Sequence, residues 1–175
     1  MKLEIMLSVN PPYSKMIMCG EKPFEFRNSI LNAVKALQDG ENITAYIYET
    51  KNKGGCGMVI GRVKITGLYD LHYNDKRSTT TELINARYRS IKYLYLHWCC
   101  MNALEPNMNE GWFKSKRFTA YKEKIGFGGN YALILDSPIT FCNQIDISYF
   151  NYANGKVFRR PPQNMCYVAD CILKD

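Results

Sequence analysis

The sequence predicts an α+β fold. Short segments rich in β-branched and aromatic residues recur from one end of the chain to the other, and amphipathic helical stripes fall between them. Composition agrees: 175 residues, 46% of them hydrophobic, are enough for one well-formed core and too few for two ordinary domains, so residues 1–175 are expected to fold as a single domain.

The elements follow in order. Leu3 to Val9 alternates as an opening strand, and Pro11-Pro12 sets up a helix in which Tyr13, Met16 and Ile17 share one face and Gly20 marks the stop. If Pro23 to Arg27 is extended, Phe24 and Phe26 point to one face, while Glu25 and Arg27 share the other with Pro23. Asn28 or Ser29 is expected to cap a further helix carrying Ile30, Leu31, Val34 and Leu37, which Asp39-Gly40 ends. Ile43 to Thr50 and Met58 to Tyr69 read as strands joined by a turn at Gly54-Gly55-Cys56-Gly57. That glycine run is not a phosphate loop, because no Gly-Lys-Ser/Thr follows and no helix begins there.

Thr79-x-x-Glu82 can form a capping box for a long helix towards Asn102, with Ile84, Tyr88, Ile91, Tyr95 and Trp98 along one side. Pro106 breaks it, and Asn109 to Ile125 is expected to be partly helical. Asn130 to Leu135 and Ile139 to Phe141 are the late strands, joined through Asp136-Ser137-Pro138, and an aromatic cluster of Tyr149, Phe150 and Tyr152 follows.

No stretch approaches the roughly 18 consecutive apolar residues of a membrane span, and the N-terminus lacks the apolar core of a secretory signal, so a cytoplasmic protein is expected. Seven cysteines in that setting read as free, buried thiols. Cys99-Cys100 with His97 is the one cluster to weigh as a metal site; neighbours on a helix point about 100° apart and cannot converge on one ion unaided, so no metal and no cofactor is expected. His97 lies in an apolar helix and reads as packing; His72 is expected at the surface. The net charge of +7 is compatible with a polyanionic partner. Lys114, Lys116, Arg117, Lys122 and Lys124 interleave with Trp112, Phe113, Phe118 and Tyr121, which nominates a basic, aromatic-studded nucleic-acid surface; the alternative is a solvated face over a packed aromatic stripe.

The most informative segment is Gly20-Glu21-Lys22-Pro23-Phe24-Glu25-Phe26-Arg27, which places a cation, a carboxylate and a guanidinium within six residues. Its spacing, Gly-x-Lys-x-x-Glu-x-Arg, resembles the signature of ASCH domains of the PUA-like superfamily. Arg160-Pro161-Pro162-Gln163, ahead of Met165-Cys166-Tyr167, resembles the segment that closes many of them. The resemblance implies a PUA-like mixed β-barrel with flanking helices, with helical insertions at about 28–40 and 79–125. It also implies a cleft for a nucleotide, a modified nucleoside, or RNA or another single-stranded nucleic acid, beside the first helix and the strand after it. By position Lys22, Glu25 and Arg27 line that cleft, with Ser8, Asn10, Tyr48 and Gln163 as further candidates.

In that cleft Lys22 and Arg27 can hold phosphate and Glu25 can accept from a base N–H; the alternative for all three is a salt-bridge cluster that steadies the strand. Some small ASCH proteins carry threonine where Glu25 stands and act as amidohydrolases on N4-acetylated cytidine, with a lysine matching Lys22 as activator and a downstream glutamate assisting. Glutamate at that position can serve as a base for water but cannot follow the same acyl-ester route. Glu49, Asp70 and Glu82 are the candidates for a second acid. The leading expectation is therefore a binding module. The alternative is an amidohydrolase, or a nuclease, using Lys22 and Glu25.

Overall fold

A computed structural model of the chain describes residues 4–71, 92–100, 103–106, 114 and 116–171. Among these residues seven strands form one mixed sheet in the order β2-β5-β4-β3-β1-β7-β6: β1 (Glu4–Val9), β2 (Phe24–Arg27), β3 (Ile43–Glu49), β4 (Val59–Asp70), β5 (Tyr131–Ile145), β6 (Phe150–Tyr152) and β7 (Met165–Cys171). β1 and β3 are parallel; every other pairing is antiparallel.

Alternation decides which residues go where. Ile5, Leu7 and Val9 of β1, with Ile43, Ala45 and Ile47 of β3, enter one apolar cluster. Met6 of β1, with Tyr46 and Tyr48 of β3, enters another on the opposite face. Both faces of these central strands are covered, so β3 is buried along its whole length. The first cluster takes in Ile17 of α1 (Tyr13–Met18) and Val34 of α2 (Asn32–Lys35). A third, largely aromatic, cluster joins Phe24 of β2 to the helix spanning 92–100 (α3) and to α4 (Lys116–Lys124), through Tyr95, Trp98, Phe118 and Tyr121.

The expected barrel is realised as a curled, open sheet. β2 and β6 are the two edges and no ladder joins them. The sheet nevertheless bends far enough for Arg27 of β2 to reach β1, four places away in strand order, donating to the Ser8 carbonyl at 2.8 Å. Side chains rather than backbone pairing close the seam.

Some local expectations need correction. The helix predicted after Asn28 is a single turn, and neither Asn28 nor Ser29 caps it: the Leu31 and Ala33 amides donate instead to Met165 Sδ and the Tyr167 hydroxyl of β7. Tertiary partners have replaced the local cap, and Ser29 turns to Asn164. The late strands form one long β5 whose second half is largely exposed, with Ser137 at φ 48° where its register against β4 shifts between Asp136 and Ile139. The thiols are not uniformly buried: Cys19, Cys56, Cys100 and Cys142 are exposed and Cys99 is buried. His72, Thr79, Glu82, Ile84, Tyr88, Ile91, Trp112 and Phe113 lie outside the described residues. Among the described residues no helix is long and apolar enough to cross a membrane.

Candidate nucleotide cleft

Gly20 takes the left-handed conformation (φ 79°) that ends α1 and returns the chain towards the sheet, and Lys22 N–H bonds back to Met16 O at 3.0 Å. β2 then pairs with β5, Glu25 opposite Leu133 and Arg27 opposite Tyr131. As the period-two reading requires, Phe24 enters the aromatic cluster and Glu25 and Arg27 take the other face.

Lys22 is 2% exposed. Its ammonium donates to Glu25 Oε2 at 2.5 Å and to Phe24 O at 2.6 Å, and lies 5.3 Å from the ring centres of both Tyr13 and Phe26. Burial pushes its pKa below the usual lysine range; Glu25 opposes that shift without cancelling it, and Arg27 adds to it. The second oxygen of Glu25 forms an ion pair with Arg27 Nη2 at 3.0 Å. Arg27 also donates through Nη1 to Asn164 Oδ1 at 3.0 Å, which ties β2 to the residue before β7. A cation–carboxylate–guanidinium chain thus runs from the interior to the seam.

At the seam lies an open cleft of about 610 Å³, within the range of about 300–1,000 Å³ usual for small-molecule sites. The ends of the parallel strands β1 and β3 supply Ser8, Asn10, Tyr48, Thr50, Lys51 and Asn52; β2 supplies Arg27; Pro161, Pro162 and Gln163 form the far wall. Ser8 and Tyr48 are register partners, which sets them side by side. Ser8 Oγ donates to Pro162 O at 2.6 Å and fastens the far wall to the sheet. Asn10 Oδ1 accepts from Thr50 Oγ1 at 2.5 Å, leaving its amide NH2 available. Tyr48 is 4% exposed, its side chain packed in the Met6 cluster, so little of it is open to the cleft.

Five of the seven residues nominated from the sequence therefore meet in one cleft. Lys22 and Glu25 stand behind Arg27 instead of lining it. Thr50, Lys51 and Asn52 were missed; their signal was their place directly after a strand whose Tyr48 was already a candidate. Of the suggested second acids, Glu49 is buried at 3% exposure and accepts from Ser14 Oγ at 2.6 Å and Cys56 N at 3.0 Å. Burial raises its pKa, but these hydrogen bonds outweigh that and hold it below the ordinary carboxylate range. Asp70 ends β4 away from the cleft lining, and Glu82 is outside the described residues.

On α4, Phe118 and Tyr121 are buried in the aromatic cluster, and so are not free to stack on bases. Lys114, Lys116 and Lys124 are exposed, and Lys122 lies 5.1 Å from the Phe118 ring. Arg117 falls within α4. His97 packs edge-on against Phe24 at 5.0 Å, and burial lowers its pKa. No group of three or more His, Cys, Asp or Glu able to hold a metal occurs among the described residues.

No family model matches the chain, and no curated protein matches its sequence. Solved structures do match. The crystal structure of the ASCH protein of Zymomonas mobilis is 18% identical, covering 94% of this chain and 86% of that one, with a TM-score of 0.48. Two single-residue variants of that protein are each 19% identical, covering 94% of this chain and 87% or 88% of theirs, with TM-scores of 0.49 and 0.48.

Proposed function

We propose that this chain is a binding module of the ASCH type, taking a nucleotide, a modified nucleoside or a base of a single-stranded nucleic acid into the seam cleft. The observation that carries this reading is the convergence of Ser8, Asn10, Arg27, Tyr48 and Gln163, drawn from four separate segments, on one cleft of mononucleotide size. Lys51, exposed at the rim, supplies charge for a phosphate. The Asn10 and Gln163 amides offer donors and acceptors to a base edge. Lys22 and Glu25 act behind these groups: the carboxylate, held from the inside by the ammonium, fixes the Arg27 fork across the seam.

A hydrolytic role for Glu25 has less support. A general base must reach the proton it abstracts, and both of its oxygens are engaged by cations. Native mass spectrometry of the purified protein, followed by calorimetric titration with the four nucleoside monophosphates and their nucleosides, tests the reading. Lys51→Ala is expected to weaken all four monophosphates alike, and Gln163→Ala to change their ranking. Absence of binding by every one of these compounds sinks the proposal. N4-acetylcytidine is expected to remain intact, and its deacetylation by the wild type, lost in Lys22→Ala, would put the enzyme reading first.

A further inference from the structure

Beyond the cleft, β6 is followed by a tight turn in which Gly155 adopts φ 79°, Gly155 N bonds to Tyr152 O and Tyr152 N to Lys156 O, each at 2.8 Å. Asn151 bridges to Val157, and Phe158 N bonds to Phe150 O at 3.0 Å with its ring buried, so the returning arm of this hairpin is fixed. The hairpin and the residues after it shape a concavity of about 810 Å³ lined by Tyr152, Lys156, Val157, Arg159 and Arg160. Three of the five are cations and none is acidic. All three cations are exposed, and none has an ion pair among the described residues.

Three exposed charges of one sign lining a single hollow give it a positive potential that favours an anion there. The Tyr152 ring, stacked at 3.8 Å on Phe158, adds an aromatic wall. The same stretch continues without a break into the far wall of the cleft, since Arg160 is followed by Pro161-Pro162-Gln163. Two prolines fix φ there, and the Ser8 bond to Pro162 O anchors them, so the two hollows keep a set relation.

We infer that Lys156, Arg159 and Arg160 form a phosphate-binding subsite for the sugar–phosphate chain flanking a base held in the cleft, so that the preferred ligand is a single-stranded oligonucleotide rather than a mononucleotide. This rests on the cleft reading for the base, but the basic hollow has its own readout. A fluorescently labelled RNA decamer of mixed sequence is titrated by anisotropy over a range of salt concentrations, with calorimetry of the four nucleoside monophosphates in parallel. In the Lys156→Gln, Arg159→Gln, Arg160→Gln triple variant, decamer affinity at low salt is expected to fall about tenfold or more, and the slope of log affinity against log salt to flatten by about 2, at roughly 0.7 per neutralised phosphate of a single strand. Monophosphate binding is expected to stay within about twofold, since none of the three lines the cleft. The charge-conserving variant Lys156→Arg, Arg159→Lys, Arg160→Lys is expected to keep the wild-type slope. An unchanged slope in the neutral variant, or an equal loss in the charge-conserving one, overturns the subsite. Monophosphates that fail to bind while the decamer slope still flattens would remove the cleft reading and leave the basic hollow standing.

Discussion

The charged residues of the Gly20–Arg27 octet and those of the Lys156–Gln163 stretch meet opposite fates. In the octet, Lys22 and Glu25 are buried at 2% and 8% exposure and spend their charges on each other, on Phe24 O and on Arg27. In the later stretch Lys156, Arg159 and Arg160 are exposed, and none is ion-paired among the described residues. Proximity of charges in sequence therefore says little about their use. Charges whose counterion lies within the same short segment can be carried into the interior, whereas charges of one sign on a hairpin must stay at the surface and look outward for a partner.

That contrast is broken most directly at Glu25. Glu25→Gln strips the anion from two cations, one of them deep in the protein, and is expected to cost about 3–5 kcal/mol in urea unfolding. Lys22→Met leaves Glu25 paired with Arg27 and should cost clearly less. A loss at Glu25 no larger than the ~1 kcal/mol of an exposed pair would show that the interior and surface charges are not distinct after all.

A comparison is available at Glu49, a buried carboxylate held mainly by a hydroxyl and an amide, with Lys15 adding a weaker attraction. Its lowered pKa means that its contribution to stability is present above the unfolded carboxylate value of about 4.3 and is lost as pH falls through the folded value. Ser14→Ala removes one of the bonds that lower it. Stability at neutral pH is expected to drop by about 1–3 kcal/mol, with the acid-unfolding midpoint moving to higher pH. A midpoint that stays put would mean that the Ser14 bond does not bias Glu49 towards ionisation.

The smallest effect is expected at the cleft wall. Gln163 is exposed, so Gln163→Ala should leave the urea midpoint within about 0.5 kcal/mol of wild type while altering nucleotide preference. A stability loss at Gln163 comparable to that at Ser14 would place it with the octet and not with the surface.

Local pattern foretold much of this. Period-two alternation was enough to place Phe24 against Glu25 and Arg27, and the parallel β1 and β3 explain why Ser8, Asn10 and Tyr48, chosen from separate segments, meet. Burial of Lys22 was not legible, because it depends on Tyr13 and Phe26 closing over the ammonium, a contact between elements. The cap of α2 was missed for the same reason: its amides are met by β7, more than a hundred residues later. On α4 the alternation of lysines with rings fits a stacking surface and a packed helix equally well. The neighbouring α3, through Tyr95 and Trp98, decides for packing of Phe118 and Tyr121.

Arg27 is both the clasp of the curled sheet and a wall of the cleft, reaching Glu25, Ser8 and Asn164 at once. Redesign of ligand preference cannot use this position freely, since a smaller or less forked side chain there would loosen the seam along with the contact. Variation, whether in the laboratory or over generations, has its room at Lys51 and Gln163, exposed side chains that carry none of the bonds closing the seam.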